Sequence, residues 1–202
     1  MTTVPLPQPE DVIAFHDRCL DLAGWPRDLS RQFPDGVWQW IEANHRLNSC
    51  IWEEEDQARR RDVPDAAIVA NKRAIDGFNQ KRNDAIEKID ESLLTALAGL
   101  VHIDARLNSE TAGAMIDRLS ILALKIRAMR QQTERTDAAN EHVESCRRKL
   151  TRLEEQRTDL VGCLGELLTD ARAGRAYFKV YRQFKMYNDP TLNPYLYSSE
   201  RS

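Results

Sequence analysis

Carboxylates spaced one helical turn apart are the residues of this sequence that could bind a metal ion. Glu53 and Asp56 are three positions apart, and so are Glu87 and Asp90. If these segments are helical, each pair lies on one helical face. Carboxylates on two packed helices can hold Mg²⁺ against a diphosphate. We therefore consider a magnesium site made by Glu54, Glu87 and Asp90, although a chain with 30% charged residues also produces such pairs by chance.

Four basic residues continue apolar helical stripes and therefore fall at or beside expected core positions. They are Arg82, Arg118, Lys125 and Arg157. Burying an unpaired charge costs several kcal/mol, so each cation must meet a carboxylate, reach water or bind an anion. Acidic clusters at 53–56 and 84–91 could supply carboxylates, whereas residues 118–133 hold four basic and no acidic groups. Two interpretations follow: an ion-pair network that sets helix register, or a pocket for an anionic ligand.

The segment from 171 to 188 combines basic and aromatic residues and contains no acidic residue. Its members are Arg172, Arg175, Lys179, Arg182 and Lys185, interleaved with Tyr177, Phe178, Tyr181, Phe184 and Tyr187. Cations and aromatic faces together suit a phosphate and a ring, as in a nucleotide or a sugar phosphate. The alternative is an amphipathic helix whose aromatic residues dock on the rest of the protein. Nucleic acid is disfavoured because five charges form a small electrostatic footprint.

Proline spacing indicates the elements that must position these residues. The eight prolines leave residues 65–189 without one, which predicts long helices there. We predict helices at 9–23, 35–61, 65–98, a hairpin from 109 to 172 with its tip at 130–142, and a short helix at 175–187. From Val143 to Ala171 the apolar residues alternate steps of three and four, the pattern of a coiled-coil-like seam that includes Arg157.

These patterns predict an all-α bundle of about five or six helices with long antiparallel hairpins and no strand. Residues 1–34 would form a short helix and a linker, 35–189 the bundle, and 190–202 a proline-containing, non-helical tail. Asn108 or Ser109, and Thr136 or Asp137, are expected to cap the two helices of the hairpin. Gly174 is expected to end the second of them.

Composition limits the cellular context. The 29 basic and 32 acidic residues give a net charge of −3, which does not call for nucleic acid or an anionic membrane. The four cysteines are far apart and form no C-x-x-C motif, so reduced thiols in a reducing compartment are expected. No stretch approaches the ~18 apolar residues of a membrane span. We therefore expect a cytoplasmic protein without a membrane span.

Five stretches of the sequence resemble a known family. They are Trp-Glu-Glu-Glu-Asp-Gln-Ala-Arg at 52–59, Lys-Arg-Ala-Ile-Asp at 72–76, Asn-Gln-Lys-Arg-Asn-Asp at 79–84, Ile-Asp-Arg-Leu-Ser-Ile-Leu-Ala-Leu-Lys at 116–125 and Phe-Lys-Met-Tyr-Asn-Asp-Pro-Thr-Leu-Asn-Pro at 184–194. Through them the chain resembles a bacterial family catalogued as domain of unknown function 4254. The family pattern has proline where this chain has Ala112, and proline would favour the first turn of a helix there.

The resemblance implies a context, because members of this family tend to be encoded beside glycosyltransferases of lipopolysaccharide and other surface glycans. Together with the cations, it suggests a cytoplasmic protein that binds an anionic phosphosugar or nucleotide-sugar. The expected ligand-binding residues are Arg82, Arg118, Lys125, Lys179, Arg182, Lys185, Tyr187, Asn188 and Asp189. The lysines and Arg182 would contact phosphate, Tyr187 would stack on a ring, and Asn188 with Asp189 would bind sugar hydroxyls.

Other functions remain open at this stage. The chain could be a non-catalytic helical partner of a glycosyltransferase, or self-associate through its helices. It could also be a Mg²⁺-dependent all-α nucleotide pyrophosphohydrolase, although the double-glutamate signature of those enzymes is absent. The run from Ile86 to Leu94 resembles the first helix of helical chorismate mutases but lacks their later arginine. The usual nucleotide-loop and hydrolase motifs are missing, so the motifs do not decide between an enzyme and a binding protein.

Overall fold

Proline and glycine residues lie at most of the boundaries between the helices of the fold. The structure, a computed structural model, describes residues 6–183, 186 and 189–197. Its helices are α1 (Pro9–Leu20), α2 (Gly36–Gln57), α3 (Asp65–Ala96), α4 (Ala112–Thr133), α5 (Asn140–Arg172) and α6 (Pro194–Tyr197), and its strands are β1 (Arg106–Leu107) and β2 (Ala176–Tyr177). The predicted all-α bundle is confirmed. No helix within the described ranges is long and apolar enough to cross a membrane.

Helix α4 lies at the centre of the packing. It contacts α1, α2, α3 and α5, while α2 with α3 and α4 with α5 form two helix hairpins. The fully buried side chains include Phe15 of α1, Ile41 of α2, Ile89 of α3, Ile116 of α4 and Leu164 of α5. Because α4 touches every other long helix, its side chains line the cavities between them.

The apolar face of α5 follows the predicted three-and-four spacing. Val143, Cys146, Leu160 and Leu164 are buried at the predicted positions. Arg157, on the same face, donates from Nη1 to both carboxylate oxygens of Asp17 on α1, at 2.9 and 2.8 Å. This cation therefore has a structural partner from the N-terminal helix.

The predicted helix at 175–187 is wrong for the part that the structure describes. Gly174, at φ +73°, ends α5 in the left-handed region, as expected of a glycine after a helix. The following backbone then pairs with β1: the Arg106 N–H donates to the Arg175 carbonyl and the Asn108 N–H to the Tyr177 carbonyl, both at 2.8 Å. This extended course buries Phe178 in the core.

Three smaller predictions also need correction. The parallel pair of β1 with β2 contradicts the expectation of no strand, because the two-residue segments are too short to show a strand pattern. Residues 194–197 form the single turn of α6 in the tail that was predicted to be non-helical. The hairpin helices begin later than expected: Thr111 caps α4, accepting from the Ala114 N–H at 3.2 Å, and α5 begins after Ala139.

Candidate functional site

A buried polar network joins α2 to α4. Asn44 and Asn48 on α2 donate from Nδ2 to Oδ1 of Asp117 on α4, at 2.8 and 2.9 Å. Asn48 also donates to Oγ of Ser120 at 3.0 Å. These side chains follow one another at turn spacing on each helix, so the two helices can pair only in the register that satisfies the buried carboxylate.

His45 extends this network to α1. Its Nε2 lies 3.1 Å from the His16 carbonyl, which can only accept, so Nε2 carries the proton and Nδ1 accepts from the Ser120 hydroxyl at 2.8 Å. Burial is the main cause that lowers the pKa of His45 to about 3, so the ring stays neutral. A serine bonded to a neutral histidine resembles a nucleophile with its base. Both side chains are 0% exposed, so the pair holds three helices together.

Arg82 on α3 lies beside this network, but the network does not satisfy all of its hydrogen-bond donors. Its Nε is buried and has no hydrogen-bond partner among the described residues. The nearest carboxylate oxygen, Oδ1 of Asp117, is 3.9 Å away. Its guanidinium makes one hydrogen bond in the described part of the chain, a long one of 3.5 Å to Oδ1 of Asn83. The side chain is 25% exposed, which leaves donors available to a ligand.

Arg82 lines two cavities. The first, the central cavity, has a volume of about 410 Å³ and lies between α2, α3 and α4, where Asn48, Trp52 and Ile121 also line it. The second, the C-terminal cavity, has a volume of about 420 Å³. Both volumes are within the usual range for small-molecule sites, about 300–1,000 Å³.

A third cavity, the cation groove, adjoins the central cavity through Trp52 and Asp56, which line both. It has a volume of about 650 Å³ and contains three cations, Lys125 on α4 with Lys149 and Arg152 on α5. None of the three is in ion-pair distance of a carboxylate among the residues described, in contrast to Arg130 and Arg157 on the same two helices. Asp56 is the one acidic residue that lines the groove. The electrostatic potential of the groove therefore favours an anion.

The C-terminal cavity, by contrast, is lined by charged side chains that, apart from Arg82, already have partners. Arg182 donates to Glu87 at 3.0 Å and to Glu91 at 2.8 Å, and Arg118 donates to Glu110 at 2.7 Å. One wall of the cavity is formed by Val180, Tyr181 and Gln183. Gln183 holds this wall on α3, because Nδ2 of Asn83 donates to its Oε1 at 2.7 Å.

Asp90 is the buried carboxylate of this cavity and also binds the start of α4. It accepts from the Gly113 N–H at 2.7 Å and from the Thr111 side chain. Burial, the largest cause, raises the pKa of Asp90 to about 6, against the two hydrogen bonds that lower it. The carboxylate therefore takes up a proton just below neutral pH.

The structure brings several of the predicted site residues together around two cavities. Arg82, Arg118, Glu87 and Asp90 line the C-terminal cavity, and Lys125 lines the cation groove. Arg118 and Arg182 are paired with carboxylates, which fits the interpretation as structural ion pairs. Lys125 has no such partner in the described ranges, which fits the interpretation as an anion pocket.

Other predicted residues lie elsewhere. Nζ of Lys179 is 5.8 Å from the centre of the Tyr177 ring. Asp189 accepts from the backbone N–H and the hydroxyl of Thr191, at 2.8 and 2.6 Å. These hydrogen bonds lower the pKa of Asp189. Lys185, Tyr187 and Asn188 are outside the described residues.

The three carboxylates considered for Mg²⁺ do not lie together. Glu54 accepts from Arg27 at 2.8 Å and from Asn71 at 2.6 Å, whereas Glu87 and Asp90 line the C-terminal cavity. In the described part of the chain, no group of three or more His, Cys, Asp or Glu side chains is arranged to hold a metal ion.

Sequence reasoning missed Lys149, Arg152 and Asp117. Lys149 and Arg152 are one turn apart on α5, next to the apolar position Leu153, but an exposed pair of cations on a charged helix is too common to single out. Asp117 is in the stretch 116–125 that carries the family resemblance. Its position as the acceptor of two asparagines depends on the pairing of α2 with α4, which the spacing within either helix does not reveal.

Comparison with known proteins places part of this architecture in a family. A family model described as "Protein of unknown function (DUF4254)" matches residues 38–180, which run from the start of α2 to the segment after β2. No curated protein matches the chain, and no solved structure does.

Proposed function

Since the chain belongs to the DUF4254 family, whose function is unknown, we propose from its cavities that it binds an anionic phosphosugar or nucleotide-sugar in the cation groove. The observation that supports this most is the set of three cations around Trp52, none of which has a carboxylate partner among the residues that the structure describes. The family resemblance, which implies a context of surface-glycan glycosyltransferases, agrees with such a ligand.

The charges of the groove explain why an anion would bind there. Lys149 and Arg152 are like charges at i, i+3 on one helix, an arrangement that costs about 0.2–0.5 kcal/mol, and Lys125 adds a third positive charge from α4. A phosphate between them would replace this repulsion with charge-assisted hydrogen bonds. Lys125, Lys149 and Arg152 are therefore proposed as the phosphate-binding residues.

Trp52 would provide the apolar part of the site. It is half-buried between the groove and the central cavity. An indole face can pack against a nucleobase or the apolar face of a sugar. The earlier expectation that Lys179, Lys185, Tyr187, Asn188 and Asp189 bind the ligand remains a proposal, and Arg182 would first have to leave Glu87 and Glu91.

Titration calorimetry with nucleoside diphosphates at low salt tests the anion site. Replacing Lys149 and Arg152 together by glutamine should weaken binding by about a hundredfold or more, since charge-assisted hydrogen bonds contribute about 1.5–3 kcal/mol each. Arg148→Gln is the matched control, because Arg148 is an exposed cation on the same helix that does not line the groove. Equal affinity of both variants would contradict the proposal.

A second proposal, a non-catalytic helical partner of a glycosyltransferase, has one supporting observation. The loop before α4 exposes apolar side chains, with Val101 54%, Ile103 101% and Leu107 41% exposed. Ile103→Lys should then abolish co-elution with such an enzyme and leave nucleotide binding unchanged. Release of a nucleoside monophosphate during the calorimetry would instead support the pyrophosphohydrolase alternative.

A further inference from the structure

The C-terminal cavity differs in its chemistry from the cation groove. Its carboxylates have their own partners: Arg182 for Glu87, Arg118 for Glu110, and the Gly113 N–H for Asp90. A phosphate entering this cavity would meet these carboxylates without an excess of cations. The cavity therefore suits a ligand group that is polar and uncharged.

The hydrogen-bonding groups of the cavity suit hydroxyls in particular. Asn83 and Gln183 contribute amides, Asp90 contributes a carboxyl, and Arg82 contributes donors that are only partly satisfied. A hydroxyl can donate and accept at once, so a group with several hydroxyls can use all of these side chains. Tyr181, 59% exposed at the rim, adds an aromatic face for the apolar side of a sugar ring.

The position of the cavity relative to the cation groove limits the length of the ligand. Arg82 lines both the C-terminal and central cavities, and Trp52 lines both the central cavity and the groove. Along α4, Asp117 of the C-terminal cavity and Lys125 of the groove are eight residues apart, about 12 Å at 1.5 Å per residue. A ligand that reaches both ends must be extended.

From these observations we propose that the C-terminal cavity is the sugar subsite of an extended nucleoside-diphosphate sugar, whose diphosphate runs from the cations of the groove towards Arg82 and whose nucleoside packs against Trp52. This inference rests on the proposed anion site and narrows its ligand, since a monosaccharide phosphate would not fill both cavities. Tyr181 and Gln183 then determine sugar affinity without contributing to nucleotide binding.

Titration calorimetry with UDP, GDP and dTDP, each alone and joined to a hexose, tests this inference. At least one conjugate should bind about tenfold more tightly than its free nucleoside diphosphate, and glucose 1-phosphate should bind more weakly than either. The double variant Tyr181→Ala with Gln183→Ala should reduce the affinity for that conjugate to that of the free diphosphate. Tyr195→Ala, which alters another exposed tyrosine, should change neither affinity.

The outcomes separate this inference from the proposed function. Equal binding of conjugates and free diphosphates by the unaltered protein would overturn the sugar subsite and support the anion site. Equal losses for both ligands in the Tyr181 and Gln183 variant would also overturn the subsite, once its unfolding temperature shows that it is folded. Absence of binding by all diphosphates would overturn both.

Discussion

His16 and His45 are neighbouring buried histidines with opposite hydrogen-bonding status. Their rings lie 4.5 Å apart, and both are 0% exposed. His45 uses both ring nitrogens, whereas neither nitrogen of His16 has a hydrogen-bond partner within the described residues. A buried polar atom without a partner costs about 1–3 kcal/mol. The buried His16 ring therefore lowers the stability of the core in which it lies.

Replacing His16 by methionine should accordingly stabilise the protein by about 1 kcal/mol at pH 7, because an unbranched apolar side chain of similar size removes the unsatisfied nitrogens. His45→Met is the matched control and should destabilise by about 2–3 kcal/mol, since Ser120 and the His16 carbonyl lose their partner. Urea unfolding at pH 7 measures both changes. A loss of stability in His16→Met would show that the ring has a partner.

The same substitution should alter the response to acid. Burial, followed by His45 and Arg157, places the pKa of His16 well below its usual range, so below about pH 6.5 the unfolded chain binds a proton that the folded chain does not. The free energy of unfolding should thus fall as the pH decreases from 7 to 5. This fall should be smaller in His16→Met. Identical slopes in urea unfolding at pH 5, 6 and 7 would contradict the prediction.

At the scale of elements, α3 and α4 approach each other closely at Gly113. A Cβ at this position would lie 2.6 Å from the Ile86 carbonyl oxygen and 2.9 Å from Asp90. The backbone oxygen cannot move without shifting α3. The close approach also lets the Gly113 N–H reach Asp90 at 2.7 Å, which joins the start of α4 to the wall of the C-terminal cavity.

Gly113→Ala should therefore destabilise the protein by about 2–4 kcal/mol, because the helices must separate and the hydrogen bond to Asp90 must lengthen. Gly77→Ala on α3 is the matched control. A Cβ there meets nothing within 4 Å, so alanine should stabilise by about 0.5–1 kcal/mol. Thermal unfolding measures both, and a neutral Gly113→Ala would mean that α3 and α4 can part at no cost.

Asp90→Asn should also change the pH dependence of stability. It should remove a loss of stability that occurs as the pH rises, whereas His16→Met should reduce a loss that occurs as the pH falls. Because burial raises the pKa of Asp90 from 3.8 to about 6, its contribution to stability is fully present below about pH 4 and is lost as the pH rises through 6. Up to about 3 kcal/mol of pH dependence should disappear in the asparagine variant. Urea unfolding between pH 4 and 7 measures it, and an unchanged profile would contradict the assignment.

At the scale of the whole molecule, the distribution of charge matters more than its total. The net charge is −3, yet the cation groove collects three cations around one carboxylate. The C-terminal cavity is lined by two arginines and four carboxylates, and therefore has no excess of positive charge. The protein thus contains one cavity suited to an anion and another suited to an uncharged polar group, connected through Arg82 and Trp52.

Binding in the groove should consequently weaken with salt. Raising the ionic strength from about 0.05 M to about 0.5 M shortens the range of electrostatic attraction severalfold, so the affinity for a nucleoside diphosphate should fall by about tenfold. The Lys149→Gln and Arg152→Gln double variant should lose most of this dependence, and Arg148→Gln should keep it. Calorimetry in a salt series measures the slopes, and equal slopes in all three proteins would place the anion elsewhere.

Particular residues show what sequence reasoning could reach. The long helices and the buried face of α5 were predictable, because apolar spacing and proline positions act within a single helix. Lys125 was predictable as an unusual cation, since it interrupts the apolar stripe of its own helix. The partner of Arg157 was not, because Asp17 is 140 residues away in the chain. The non-helical course of residues 175–183 was missed because β2 pairs with a strand 70 residues earlier, with Ala176 opposite Arg106.

The sequence by itself determined the helical class and most of the helix positions. It also determined that several cations lie at or beside core positions, where each needs a carboxylate, water or an anion. Each of these follows from local spacing and composition. Only the tertiary structure decided that Arg118, Arg157 and Arg182 have carboxylate partners, while Lys125, Lys149 and Arg152 have none within the described part of the chain. The attraction between two opposite charges weakens as their distance grows. The distances between these groups are set by how separate helices pack.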